Sequence, residues 1–280
     1  MKDTKGTLTY AFAVTRTPPP GDALTAAAGH GGGGPLRVLR AGTLWLVVQD
    51  VPAETFGEAS LGERLNRPEE LERCARTHHR GVETAALSGP VVPLPMATLY
   101  LGDDSAVESV SAREAELGDL LDRLRGRTEW AVKVHAVEAA GPAPGTDGTG
   151  GDDAPAEPDA PGGRAYLGRV SARRRTQRDA RERALAAAHA VDRELRRYAV
   201  AATRHRPQSE HLTGRSAPQL LNAAYLVDDA ERAAFTRAVA GFGAGRVGTL
   251  VETTASGPWI PYSFARLDQE WNTGEDEVRA

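Results

Sequence analysis

The segment LVETTASGPWIPYSF, residues 250–264, limits the possible folds of this chain more than any other stretch. Its first five residues are typical of a strand, and the Ser-Gly-Pro sequence after them indicates a turn. Trp259, Tyr262 and Phe264 then follow within six residues, beside two prolines that lack a backbone donor. Proline at these positions excludes an interior helix or a central strand. We therefore predict an extended segment held against an apolar surface, because large aromatic rings are costly to leave in water.

Two roles are open for these aromatic side chains. They either close the core of their own domain, as buried aromatic residues ordinarily do, or contact a partner protein. We expect the segment mainly to close the core of a second domain, with at most one of the three rings exposed to a partner.

The same stretch resembles a signature near the C-terminus of the gas vesicle protein F/L family. Four other segments resemble landmarks of that family in the expected order: Gly89–Tyr100 (GPVVPLPMATLY), Glu129–Ala136 (EWAVKVHA), Ala165–Arg169 (AYLGR) and Leu220–Val227 (LLNAAYLV). The resemblance extends from about residue 7 to residue 267 and does not distinguish an F-type from an L-type member. Where many members have Arg-Phe-Gly, this chain has Pro95-Met96-Ala97, so no role of that arginine is carried over.

The resemblance implies an accessory protein of gas vesicle formation with a ferredoxin-like first domain. Such a protein binds the small amphipathic shell protein during assembly, in the manner of a chaperone, or stays as a minor component of the vesicle. The implied partners are the shell protein and other gas vesicle accessory proteins. A protein with one apolar face aggregates until that face is covered, which makes such a binding role physically reasonable.

Composition indicates a soluble cytoplasmic protein, located at the gas vesicle if the resemblance holds. The formal net charge of −4 gives no general signal for binding nucleic acid, and no stretch is apolar enough to span a membrane. The N-terminus lacks the features of a signal peptide. A single cysteine, Cys74, excludes an intramolecular disulfide and is typical of a reducing compartment.

Residues 139–163 divide the chain, with seven glycines, five prolines and five acidic residues among 25. Such a segment cannot bury enough apolar surface to offset its ordering entropy. We therefore predict an N-terminal domain (1–138), a flexible acidic linker (139–163), a C-terminal domain (164–267) and a polar tail (268–280). The predicted fold class is α+β in two domains.

The first domain is predicted to be ferredoxin-like, a mixed or antiparallel sheet with helices on one side. Its predicted elements are a strand at 7–14, a hairpin turned at Ala41-Gly42, a helix at 69–87, an extended stretch at 91–100, a helix at 105–124 and a closing strand at 129–137. In that last strand, alternation places Trp130, Val132 and Val134 on one buried side. The second domain is predicted to be a smaller α+β unit opened by a long helix, 164–202, with strands at 220–227 and 247–254 around a helix at 228–240.

No combination of residues predicts a nucleophile with its base and oxyanion site, or a cradle for a cofactor. We therefore predict a binding protein and no enzyme, with no catalytic residue, cofactor or metal site. Two alternatives stay open: a metal- or thiol-dependent hydrolase using Cys74 and His78, which stand one helical turn apart, and a small-ligand sensor. The oligomeric state is left open.

A basic helical surface and the aromatic segment are the candidate partner-binding sites. Residues 164–206 contain 13 arginines against four acidic residues, but no aromatic residue that would favour nucleic acid lies among the clustered arginines at 169–181. The candidate partner-binding residues are Arg173, Arg174, Arg175, Arg178, Trp259, Tyr262 and Phe264.

Overall fold

The computed structural model describes residues 6–137, 162–206, 217–243 and 249–266. The protein is α+β, with two sheets, and it divides into two compact units. The first unit combines Met1–Glu129 with Pro258–Trp271, and the second combines Trp130–Gly257 with Asn272–Ala280. These ranges differ from the predicted 1–138 and 164–267, because the chain returns to the first unit after Gly257. The predicted linker, apart from its last two residues, and the predicted tail lie outside the described residues.

The sheet of the first unit has the strand order of a ferredoxin-like fold. Its strands are β1 (Thr7–Thr15), β2 (Leu36–Ala41), β3 (Leu44–Pro52), β4 (Val91–Pro93) and β5 (Leu99–Tyr100). The order is β2-β3-β1-β4, with β5 also paired to β1, and every pair is antiparallel. The predicted hairpin is confirmed, and Gly42 at its turn has φ 61°, which favours glycine.

Six helices accompany this sheet in the described part of the first unit. They are α1 (Gly21–Ala26), α2 (Ala53–Phe56), α3 (Glu58–Leu65), α4 (Pro68–Ala86), α5 (Asp103–Ser111) and α6 (Glu114–Leu124). The helix predicted at 105–124 is thus two helices, because Arg113 leaves helical geometry at φ −117° and ψ 19°. The amphipathic pattern located the buried leucines but not this break.

Helices lie against both faces of the first sheet, where the sequence predicted them on one side. Tyr10 is hydrogen-bonded to His78 of α4, whereas its neighbour Thr9 donates a hydrogen bond to Asp103 of α5. Adjacent residues of a strand point to opposite faces, so α4 and α5 cover different faces. The α4 face holds a core that includes Phe12, Phe56 and Val82.

The second unit holds most of a four-stranded sheet, with one long and one shorter helix among its described residues. Its elements are β6 (Arg127–Ala136), α7 (Gly162–Leu195), a 3₁₀ turn (Arg196–Tyr198), β7 (Ala201–Arg204), β8 (Gln219–Asp228), α8 (Arg232–Gly243) and β9 (Val251–Trp259). The strand order is β7-β8-β6-β9. The predicted helix 164–202 ends early, and β7 takes its last residues.

Trp130, Val132 and Val134 of β6 are buried, which confirms the predicted buried side of this strand. They pack in the core of the second unit, where the Trp130 ring lies 5.7 Å from Phe235. The prediction that 129–137 closes the first sheet is therefore wrong. Alternation reveals which side chains face a core, but not which core they face.

Asp192 of α7 is a buried anion inside the second unit, with 2% of its surface exposed. Its carboxylate accepts hydrogen bonds from the Tyr225 hydroxyl and from the guanidinium groups of Arg196 and Arg204. Burial raises the pKa of Asp192, but the bonds from Tyr225 and Arg204 outweigh it and hold that pKa below its ordinary value. This carboxylate therefore ties α7 to β7 and β8.

Candidate partner-binding site

The C-terminal segment, residues 258–266, is bound to the first unit by buried contacts. Ser263 donates two hydrogen bonds to the Glu129 carboxylate, from its backbone N (2.8 Å) and from its Oγ (2.7 Å). Phe264 is 2% exposed, and Ile260 packs against the core that contains Tyr10 and Phe12. The expectation that this segment closes the core of the second domain is therefore wrong.

The Glu129 carboxyl is buried, with 8% of the residue exposed. Burial raises the pKa of Glu129 above its ordinary value, and the two hydrogen bonds from Ser263 oppose that rise. Removing a carboxylate from water costs free energy unless its oxygen atoms are hydrogen-bonded. The two bonds from Ser263 offset this cost at Glu129. This pair fixes the segment between Tyr262 and Phe264.

Tyr262 is held at the surface by α4. Its hydroxyl lies 3.0 Å from Nδ1 of His79, and the other ring nitrogen of His79 lies 3.4 Å from a Glu83 carboxylate oxygen. This geometry fits a histidine that accepts from Tyr262 at Nδ1 and donates to Glu83 at Nε2. Burial raises the pKa of the Tyr262 hydroxyl, so that hydroxyl stays protonated and available as a donor.

The two exposed rings of the C-terminal segment are Trp259, at 49% exposure, and Tyr262, at 37%. Phe264 is buried and does not reach a partner in this conformation. Two of the three predicted aromatics are therefore at the surface, where the sequence predicted at most one. Both belong to a segment that is anchored through Ser263 and Phe264.

A shallow cavity of about 370 Å³ lies along another part of α4. It is lined by Ala26, Ala27, Ala28, Arg80, Glu83, Thr84 and Leu87. Leu87 is 65% exposed and adds apolar surface to this groove. Glu83 lines this cavity and also contacts His79, so the groove and the aromatic segment adjoin each other on the first unit.

The four candidate arginines lie on α7 in the second unit. Arg173, Arg174, Arg175 and Arg178 are all exposed. Their position on a helix is as predicted, and their role as partner contacts stays a proposal.

Cys74 and His78 do not form a reactive pair. Burial raises the pKa of the Cys74 thiol, which disfavours the thiolate that a nucleophile needs. Both ring nitrogens of His78 are engaged, Nδ1 at 2.9 Å from the Tyr10 hydroxyl and Nε2 at 3.0 Å from the Leu94 carbonyl oxygen. Across the described ranges, no group of three His, Cys, Asp or Glu residues is placed to hold a metal ion.

The Tyr10–His78 pair instead organises the turn after β4. The carbonyl of Leu94 only accepts, so Nε2 of His78 carries the proton and Nδ1 accepts from Tyr10. The Tyr10 oxygen also accepts a hydrogen bond from the backbone N of Ala97, at 3.0 Å. Ala97 has φ 68°, in the left-handed region, which glycine adopts without the steric cost that alanine bears.

Comparison with known proteins identifies the family. The family model described as gas vesicle synthesis protein GvpL/GvpF matches residues 8–266. The chain belongs to this family. Gas vesicle protein L from Streptomyces sp. (strain CB03234) is a GvpL/GvpF relative that is 39% identical over 266 residues, which are 94% of each chain. GvpL/GvpF proteins are gas vesicle accessory proteins and are not a known class of enzyme.

Two solved GvpF structures have the same fold. GvpF from Anabaena sp. PCC7120 superposes with a TM-score of 0.64 over 94% of this chain and 98% of its own. GvpF from Microcystis aeruginosa gives a TM-score of 0.58 over 92% and 99%. Both are 14% identical to this GvpL/GvpF member, so they establish the α+β fold alone. In the part of the chain that the structure describes, no helix has the length and apolarity to cross a membrane.

The sequence did not reveal the polar residues that anchor the aromatic segment of this GvpL/GvpF member. Glu129 opened a strand that was predicted to belong to the first sheet, and nothing in the sequence links His79 of α4 to Tyr262. A signal was present in Ser263, a small polar residue between two aromatics, but its partner lies 134 positions away. A pattern of local spacing cannot identify such a distant pair.

Proposed function

We propose that this GvpL/GvpF member binds the small amphipathic shell protein during gas vesicle assembly, as a chaperone-like accessory protein or as a lasting minor component. The observation that carries the proposal is the exposure of Trp259 and Tyr262 on an anchored segment of the first unit. Tryptophan and tyrosine are the residue types that most often dominate binding energy at protein interfaces.

The anchoring of the segment supports tight binding. Phe264 is buried on one side of the exposed pair, and Tyr262 is hydrogen-bonded to His79. Side chains that are already ordered lose little conformational entropy on association, so more of the contact energy contributes to affinity. The aromatic pair is thus prepared for a partner without a change in the backbone.

The groove along α4 supplies further apolar surface on the same unit. Leu87 and the three alanines at 26–28 face it, and Arg80 and Glu83 border it with opposite charges. An apolar centre with a polar rim is the usual composition of a protein interface. An amphipathic shell protein offers the complementary apolar face.

The test is binding of purified shell protein to the full chain and to Trp259→Ala, measured together with thermal unfolding. We expect Trp259→Ala to weaken binding by at least about tenfold, because truncation of a tryptophan anchor removes much of the contact energy. Its melting temperature should change little, since about half of the side chain is already exposed. Phe264→Ala should instead lower the melting temperature, because that ring is buried.

Leu101→Ala is the matched control, since Leu101 is an 88% exposed apolar residue of the same unit, between β5 and α5, and is not part of the segment. It should change neither property. Unchanged binding in Trp259→Ala would remove the C-terminal segment from the shell-protein interface. Equal losses in Trp259→Ala and Leu101→Ala would mean that binding follows general surface apolarity and not this site.

A further inference from the structure

The long helix α7 changes character near its middle. Its C-terminal half packs in the second unit through Ala184, Ala188, Val191 and Leu195. From residue 171 to residue 183, by contrast, every residue is exposed except the half-buried Ala180. At a rise of 1.5 Å per residue this unpacked part is about 20 Å long. A helix that is polar on all sides gains no stability from packing, so this half needs another reason to be helical.

The unpacked half is strongly basic. Residues 171–183 contain six arginines and two acidic residues. Arg174, Arg178 and Arg181 are spaced i, i+4 and i+7, which places them on one face over about 10 Å of helix. Like charges at this spacing repel one another. Among the described residues, no carboxylate forms an ion pair with any of these three guanidinium groups.

We propose that the face formed by Arg174, Arg178 and Arg181 binds an acidic polypeptide segment of a partner protein. The planar guanidinium fork holds a carboxylate through two parallel hydrogen bonds, and three forks on one face suit a run of Asp and Glu side chains. Binding would also relieve the repulsion within the helix. The basic face and an acidic partner are therefore complementary in charge and in hydrogen-bonding geometry.

A polypeptide fits this face better than a nucleic acid or a membrane. The stretch GRVSARRRTQRDARER, residues 168–183, contains no aromatic residue on which a base could stack. The face spans only a few phosphates, whereas a nucleic-acid site gains its affinity by neutralising many. Val170 is the only aliphatic residue larger than alanine in this stretch, so the helix lacks the apolar side that a membrane-surface helix requires.

This inference is independent of the shell-protein proposal. It concerns charged residues of the second unit, whereas the shell-protein proposal concerns aromatic residues of the first. A variant of the arginine face leaves Trp259 and Tyr262 intact, so the two proposals fail or succeed in separate measurements.

The test measures binding of a fluorescein-labelled oligoglutamate peptide to the full chain by fluorescence anisotropy. We expect binding that weakens with added salt, since exposed charges are screened. Arg174→Glu with Arg178→Glu should reduce affinity by at least about tenfold, because both attraction and bidentate bonding are lost. Arg183→Glu with Arg193→Glu is the matched control, since it changes the charge of the same helix equally on other faces. It should retain most of the affinity, and circular dichroism should show equal helicity in all three proteins.

Three outcomes would overturn the proposal. Equal losses in the two double variants would show that only net charge matters. Tighter binding of single-stranded DNA than of the peptide, with the same sensitivity to Arg174 and Arg178, would make the face a nucleic-acid site. Peptide binding that appears only after deletion of residues 140–160 would identify the chain's own acidic segment as the occupant in place of a partner.

Discussion

The carboxylate of Glu129 accepts two hydrogen bonds from Ser263, a residue 134 positions later in the chain. One bond comes from the backbone and one from the hydroxyl, so both carboxylate oxygens are satisfied in a buried place. The same serine stands between Tyr262, which faces the surface, and Phe264, which is buried. Three consecutive residues therefore supply an exposed ring of the proposed binding surface (Tyr262), the hydrogen bonds that anchor it (Ser263) and a buried ring (Phe264).

Ser263→Ala should destabilise the first unit by about 1.5–3 kcal/mol, because it removes a hydrogen bond to a buried charged group. Chemical denaturation of the full chain measures this change. Ser171→Ala is the control, since the Ser171 hydroxyl bonds only to a nearby carbonyl on the exposed part of α7. A Ser263→Ala protein as stable as its parent would show that the hydroxyl adds nothing beyond the backbone bond.

Ala97→Gly should stabilise the protein by up to about 1 kcal/mol, because glycine adopts the left-handed region without the steric cost that alanine bears there. The hydrogen bond from Ala97 to Tyr10 uses the backbone and is kept. Ala112→Gly is the matched control: Ala112 is exposed with φ −61°, so glycine there should destabilise. The midpoint of denaturation distinguishes the two variants. A loss of stability in Ala97→Gly would contradict the inference that alanine is strained at this position.

Stability should fall as the pH drops from about 6.5 to about 4. Burial, aided by His78 and Arg64, lowers the pKa of His30 from 6.5 to about 4 in the folded protein. Between pH 6.5 and 4 the unfolded chain therefore binds a proton at His30 that the folded protein does not bind. The free energy of unfolding is thus highest above pH 6.5 and falls on acidification. The lowered pKa of His30 accounts for a loss of about 3 kcal/mol of unfolding free energy. Burial lowers the pKa of His78 as well, which acts in the same direction.

Two other groups affect the dependence of stability on pH at low pH. Asp103 has a lowered pKa because of its hydrogen bonds from Arg37, so its contribution is lost only below the histidine window. Glu129 has a raised pKa and acts in the opposite direction. His30→Phe should flatten the dependence of stability on pH between pH 6.5 and 4. An unaltered slope in His30→Phe would assign the acid sensitivity to other groups.

Tyr225→Phe should destabilise the second unit by about 1.5–3 kcal/mol, because it removes a donor from the buried Asp192 carboxylate. Tyr100→Phe is the control, since the Tyr100 hydroxyl bonds to Ser109 at the surface. Denaturant titration of both variants gives the comparison. Equal small losses would mean that Arg196 and Arg204 satisfy Asp192 without the tyrosine.

Local features of the fold could be predicted from the sequence, and long-range pairings could not. The hairpin of β2 and β3 follows from two alternating runs around Gly42, and α4 follows from its periodicity and from the flanking prolines. The buried side of β6 follows from alternation at Trp130, but the sheet that contains β6 depends on strands more than 80 residues away. Its assignment to the first domain was natural because no break in composition precedes residue 139.

The sequence predicted the aromatic residues of the candidate site but not the residues that anchor them. The aromatic residues of 259–264 were identified because their density is unusual, and the exposure of Trp259 supports their selection. Phe264 was included on composition alone, although a buried ring and an exposed one look alike in sequence. His79 and Glu83 could not be linked to Tyr262 without the three-dimensional arrangement of α4.

The return of the chain to its first unit has a consequence for protein synthesis. Glu129 leaves the ribosome 134 residues before Ser263, which at the usual rate of translation is a delay of about 7–27 s. Throughout that delay the first unit lacks the Phe264 ring that occupies part of its interior, and the Glu129 carboxyl lacks its donors. The N-terminal unit is therefore completed only after Phe264 has been synthesised, and we expect a nascent chain halted after residue 257 to expose an unfinished apolar surface to the cell's chaperones.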